Sequence, residues 1–345
     1  MSGRIGSAIL ACGLVAGALG CGGSDPSPAK PTLPVRETVE VTEREGPPPP
    51  PASAEVRRGE KLIAEGDPVA AQRVLEDALQ AHSDDPRAHF DLGMAFEMQG
   101  KVPKAEHHYR QAVALSPDFG EALNNLGLLL LETERPDESI EVLRRAVDAR
   151  ADLADAWTNL ALALEATGQR PEAVKAWRRA AELAPDDPSV RANHGLAELA
   201  IGQREEAKAT LRAGLRVAEG NAAALQAIGN GLRRVGDFDR AVTAMRAAIE
   251  AKEAGATPAL LAELALAEHA AGDRAGAEAS LAEALELDPE YATAHYVLGS
   301  LLAGRGAYRE AIEHLRTVLE LEPEGPHAAA AEERLKAARR ALEKK

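Results

Sequence analysis

A chain of 345 residues that is 45% hydrophobic but only 3% aromatic holds enough apolar mass for a large core, and that mass is mostly Ala and Leu. Both are strong helix formers, whereas sandwiches and barrels draw on β-branched and aromatic residues, so the composition points to closely packed helices. Forty Lys and Arg against 55 Asp and Glu leave a formal charge of −15. With no basic stripe beyond Arg233–Arg234, this balance excludes nucleic acid as a partner and suits a scaffold that meets other proteins.

In chain order, residues 1–20 carry one charged side chain, Arg4, followed by a small apolar run from Ile5 to Leu19. The run is too short and too rich in Gly and Ala for a spanning helix, and reads as a secretory signal peptide. Its end, Ala18-Leu19-Gly20-Cys21, resembles the lipobox of bacterial lipoproteins. Gly20 matches the small residue before the cysteine, while Ala18 and Leu19 depart from the commonest order. Ile9-Leu10-Ala11-Cys12 is a rival match that leaves too short an apolar region before the cut. The resemblance implies lipidation of Cys21 and a lipid-anchored mature chain. Gly22, rather than Asp, after that cysteine implies the outer membrane, facing the periplasm. The alternatives are an ordinary signal peptide cut nearby or an uncleaved anchor. Cys12 and Cys21 are the only cysteines, so no disulfide framework supports the rest of the chain.

Residues 21–51 follow as a tether. Gly22-Gly23-Ser24 is flexible; Pro26, Pro28, Pro31, Pro34 and the run Pro47–Pro51 favour extended polyproline II, a semi-rigid spacer. A proline-rich ligand motif is the competing reading.

From residue 52 onward an internal period dominates. Leu92-Gly93, Leu126-Gly127, Leu160-Ala161, His194-Gly195 and Ile228-Gly229 lie 34 residues apart, and after a two-residue insertion Leu264-Ala265 and Leu298-Gly299 resume the spacing. A second small residue recurs (Ala105, Ser139, Ala173 and onward), and four places later a large one, such as Tyr109, Leu143, Trp177, Leu211 and Met245. Pro117, Pro185, Pro289 and Pro323 close units. This pattern resembles the tetratricopeptide repeat (TPR) family over residues 52–325, as about eight units, the first the most degenerate. The resemblance implies an all-α, right-handed TPR superhelix, an α-solenoid of 34-residue helix pairs. Gly100, Gly168, Gly202, Gly236, Gly272 and Gly306 are placed to end first helices, where a left-handed backbone is often needed. Asp237 and Asp273 are candidate N-caps of second helices, and Pro103 and Pro171 fit first turns. Residues 326–345 read as a C-terminal capping helix whose polar face carries Glu332, Glu333, Arg334, Lys336 and Arg339.

The resemblance also implies a concave groove lined by first helices. Two places before each Gly or Ala stand Asp91, Asn125, Asn159, Asn193, Ala227, Glu263 and Val297. The three asparagines resemble the ladder by which the repeat domain of O-linked N-acetylglucosamine transferases grips a peptide backbone; an amide offers both donor and acceptor. The alternative is an amide bonding between neighbouring helices. Leu128 and Leu162, one place after the small residue, either line the groove or pack between units. The basic set of the chaperone-type carboxylate clamp is missing. Pairs such as Glu132/Glu134 and Asp186/Asp187 read as solvated charge or caps rather than acid–base pairs. The nine histidines are scattered apart from His107–His108, so no metal or cofactor is expected.

These features lead to the expectation of a non-enzymatic, membrane-tethered scaffold that binds proteins or extended peptides, for assembly of an envelope complex. The alternative is a recruiting or adaptor module of an envelope enzyme such as a glycosyltransferase or hydrolase.

Overall fold

The computed structural model describes residues 53–252 and 255–344. The signal segment, Cys21 and the tether to residue 51 lie outside the described residues. Among those described, every regular element is an α-helix, seventeen in all, and no helix is long and apolar enough to cross a membrane. The chain divides into two compact bodies at Pro117/Asp118.

The first body holds α1 (Ala54–Ala64), α2 (Pro68–Ala81), α3 (Pro86–Met98) and α4 (Val102–Leu115). The second begins with α5 (Gly120–Glu132), α6 (Pro136–Ala149), α7 (Ala154–Ala166), α8 (Arg170–Leu183), α9 (Pro188–Ala200) and α10 (Arg204–Leu215). It continues with α11 (Ala222–Arg234), α12 (Phe238–Glu250), α13 (Pro258–Ala271), α14 (Arg274–Leu287), α15 (Ala292–Gly304), α16 (Tyr308–Leu321) and α17 (Ala328–Glu343). Consecutive helices pack as antiparallel hairpins, α1 with α2 through α15 with α16. The two-residue insertion falls in the connection between α12 and α13.

Side-chain oxygens satisfy amides left open at helix starts. Asp85 Oδ1 accepts from the backbone N–H of Arg87 at 2.8 Å and of Ala88 at 3.1 Å, and Asp187 does the same for Ser189 and Val190. Pro86, Pro136 and Pro188 occupy first positions, where their missing N–H costs nothing, and Pro103 and Pro171 stand one place later. Asp273 caps α14 through Gly276 N, as expected. Asp237 stands before α12 but makes no cap bond. Arg212 on α10 takes its carboxylate instead, Nε to Oδ2 at 2.5 Å, with Arg240 at 3.4 Å on the other oxygen. A charge-assisted bond to a guanidinium outcompetes a neutral amide for the same oxygens.

The six glycines expected to end first helices all have positive φ, between 70° and 92°. The same turn between α5 and α6 is made by Glu134, whose φ is 60°. It is the lone non-glycine in that region among the described residues.

Within each hairpin the small residue of the first helix meets the large residue of the second. A Cβ on Gly93 would stand 2.6 Å from the Tyr109 ring, and one on Gly195 2.6 Å from Leu211 Cγ. Gly127 with Leu143 and Gly229 with Met245 repeat the contact. Tyr109, Leu143, Trp177, Leu211, Met245, Leu281 and Leu315 are all fully buried. Each such burial contributes about 1.5–3 kcal/mol, which a short isolated helix pair does not collect. In two hairpins the aromatic tip is also held: Tyr109 Oη donates to Glu97 at 2.5 Å, and Trp177 Nε1 to Glu165 at 3.1 Å. Helix α17 buries Ala328, Ala331, Leu335 and Ala338 and leaves Glu332, Glu333, Arg334, Lys336 and Arg339 exposed.

Candidate functional site

In the second body the first helices of successive hairpins lie side by side, α5 on α7, α9 on α11, α11 on α13 and α13 on α15. Asn125, Asn159 and Asn193 stand on α5, α7 and α9 at the same place in the repeat. The structure treats the three differently. Asn159 is buried, and its Nδ2 donates to Asn124 Oδ1 at 2.9 Å. Asn124, also buried, passes the chain on, its Nδ2 donating to Asn125 Oδ1 at 3.2 Å. Asn125 and Asn193 are half-buried. No hydrogen bond within the described residues occupies the Asn125 amino group or the Asn193 amide. Leu128, Leu162 and Leu196 are half-buried beside them. The face therefore offers open amides set among apolar side chains, with Asn159 serving as an interhelical strut.

Asp91, in the first body, is 1% exposed, and its Oδ2 has no hydrogen-bond partner. Burial, reinforced by Glu60, pushes its carboxyl up to about 8, so it is a neutral acid at pH 7.

A second polar group sits further along the same face. Gln226 Nε2 and Asn230 Nδ2, both on α11, donate to Glu263 Oε2 on α13 at 2.8 and 3.0 Å. Arg233, half-buried nearby, has an Nε with no partner; burial lowers its pKa while Glu263 opposes that shift. Glu263 stands at the place read from the register. Asn124 and Gln226 lie three places before their glycines and Arg233 four places after one. Stepping one helical turn either way from the register positions would have found all three.

The fifth hairpin departs from the pattern. His194 and Glu198 occupy places that are Leu or another apolar residue in most units, and both are buried. His194 Nε2 lies 3.3 Å from Glu198 Oε1 but is not aligned for a hydrogen bond, and Glu198 Oε2 has no partner either. Burial drives His194 down to about 4, so its ring is neutral at pH 7, and raises the Glu198 carboxyl above its ordinary value. The equivalent Glu268 in the seventh hairpin is fully served, by Ser280 Oγ and Arg246 at 2.7 Å each.

A family model described as tetratricopeptide repeat matches residues 56–118, 99–154 and 124–188, and a second of the same description matches 268–335. Together they span more than half of the chain. Over 69 residues the chain is 33% identical to the Drosophila melanogaster protein O-mannosyl-transferase Tmtc3, a match of 20% of this chain and 8% of that protein. The chain thus spans less than a tenth of that relative's length. Among solved structures, the APC/C hetero-tetramer Cut9–Hcn1 is similar with a TM-score of 0.51 and 16% identity, over 82% of this chain and 55% of that one. Pseudomonas aeruginosa pilF is similar with a TM-score of 0.50 and 19% identity, over 61% of this chain and 94% of that one. At these identities the likeness shows the fold, an all-α stack of helix pairs.

Proposed function

We propose, for a chain that belongs to the tetratricopeptide repeat family, a protein-binding scaffold whose second body takes an extended peptide along its first helices. The observation that carries this is the pair of half-buried amides, Asn125 and Asn193, left without full hydrogen bonding on a face also lined by Leu128 and Leu162. A peptide backbone would occupy those donors and acceptors, and the leucines would supply contact area. Gly20-Cys21-Gly22 supports a lipid anchor at Cys21, and the proline-rich residues 21–51 support a stalk. Together these suit assembly of an envelope complex on the periplasmic side of the outer membrane.

The test is a pull-down from a membrane extract with Asn125→Ala/Asn193→Ala beside the parent chain. Asn159 stays in place, because removing it breaks the strut to Asn124. Partner recovery should fall at least tenfold; recovery at parental level by a protein of unchanged helicity would remove this face as the site. Separately, Cys21→Ser should leave the membrane fraction. Persistence there would refute the anchor.

A second reading, recruitment of substrates for an envelope glycosyltransferase or hydrolase, draws on the short match to an O-mannosyl-transferase. Recovery of a transferase or hydrolase, rather than structural envelope proteins, would favour it.

A further inference from the structure

Two histidine pairs stand at the same place in the helix-pair register, one in each body. His89 on α3 faces His108 on α4, with Nδ1 atoms 3.0 Å apart. His295 on α15 faces His314 on α16, with Nδ1 atoms 2.8 Å apart. Ring centroids are 5.2 and 5.1 Å apart. In both pairs the members are 19 residues apart. In the other units of the clear period neither place is histidine: Leu123 and Val142, for example, or Leu225 and Ala244. The two positions are both histidine or neither, which ties them to one task.

The outer hydrogen bonds are also the same. His89 Nε2 meets the carbonyl oxygen of Ser83 at 3.2 Å, and His295 Nε2 that of Pro289 at 2.9 Å, six residues earlier in each case. A carbonyl only accepts, so Nε2 carries the hydrogen and Nδ1 of the neutral ring carries a lone pair aimed at the partner imidazole. An imidazole whose far N–H is held by a backbone carbonyl is oriented as metal-ligating histidines are. All four rings are half-buried, so each has a route to solvent.

We infer that each pair is a two-imidazole site for a divalent transition-metal ion, bound by Nδ1 of both rings with water in the remaining positions. Two nitrogens about 2.0–2.1 Å from one ion at right angles lie about 2.9 Å apart, whereas a tetrahedral ion sets them about 3.3 Å apart. Without metal the separations are 3.0 and 2.8 Å, within about half an ångström of both. Without metal, the space is bridged by a hydrogen on Nδ1 of His108 or His314. On binding, that hydrogen moves to Nε2 of the same ring through solvent, and no net proton is released. Among the described residues no group of three or more ligand side chains converges, so the protein supplies two donors per ion. Lys104, His107 and Asp85 lie near the first pair, and Glu310 and Glu313 near the second.

The experiment titrates the full chain with Cu(II) at pH 7.4 against glycine as a competing chelator, read by electron paramagnetic resonance. The parent should bind two coppers with two equatorial nitrogens each. His108→Gln and His314→Gln should each lose one copper, and the double variant both, while His82→Gln and His269→Gln lose none. Comparison among variants of one chain cancels contributions from the two cysteines and the remaining histidines. Circular dichroism of each variant monitors the fold. A second measurement needs no variant: Zn(II) added to the parent should move the Nδ1 resonances of His89, His108, His295 and His314 in nitrogen-15 spectra. Unchanged copper stoichiometry in folded variants, fewer than two nitrogens per copper, or zinc shifts confined to other histidines would overturn the proposal.

Discussion

The ring of Tyr109 lies where a side chain on Gly93 would begin: an added Cβ would meet Cδ1 and Cε1 at 2.6 Å each. Tyr109 is fully buried and its hydroxyl is tied to Glu97, so the ring has little freedom to withdraw. Gly93→Ala is therefore expected to destabilise the first body by about 1–3 kcal/mol, the usual effect of overpacking. Urea titration followed by circular dichroism checks this. A variant with parental midpoint would mean that the ring moves freely.

Glu134 holds a left-handed backbone at φ 60° where the seven other hairpins use glycine. An L-residue there costs roughly 1–2 kcal/mol, partly offset by the greater entropy a glycine loses on folding. Glu134→Gly should raise stability by about 0.5–1 kcal/mol, seen as a higher urea midpoint with an unchanged slope. A lower midpoint would show that the Glu134 side chain contributes more than its backbone costs.

The period revealed the helix pairs, the glycine turns and the closing helix because each follows from residues adjacent in sequence or one repeat apart. What it hid depends on partners at irregular separations. Asn159 reads equally as an open amide or as one bonded between helices until α5 places Asn124 within 2.9 Å. Asp237 reads as a cap until Arg212, 25 residues earlier, reaches it across the hairpins. The histidine pairs are 19 residues apart, a spacing set by the hairpin and absent from any single helix. Burial was equally illegible at Asp91, since one place in the repeat is closed in that unit and half-open at Asn125 and Asn193.

Asp91 gives the first body a pH dependence. Its folded pKa of about 8 lies above the ordinary 3.8, so between those values the folded state holds a proton that the unfolded chain releases. Its contribution to stability is complete below pH 4 and is lost as pH rises toward 8. Asp91→Asn keeps the shape without the titration. Melting temperatures at pH 5 and pH 9 should differ less in the variant than in the parent. Equal differences would show that Asp91 is ionised in the fold.

His194 and Glu198 fill two core places with polar atoms that lack partners. Replacing both by leucine, the residue at these places in the hairpin of α7 and α8, should stabilise the second body by about 1–3 kcal/mol. A calorimetric scan of the double variant checks the direction. A lower transition temperature would mean that the two groups satisfy each other better than their geometry indicates.

That unsatisfied pair also bears on how the second body comes apart. A stack of repeats is only as cooperative as its weakest joint, and a joint whose core holds two polar groups with unpartnered atoms opens before its neighbours. Amide hydrogens of α9 and α10 should exchange with deuterium sooner than those of α7 and α8 or of α11 and α12. The array would then behave as two foldons with a yielding link between them, and a tug on a bound peptide would be felt first at His194.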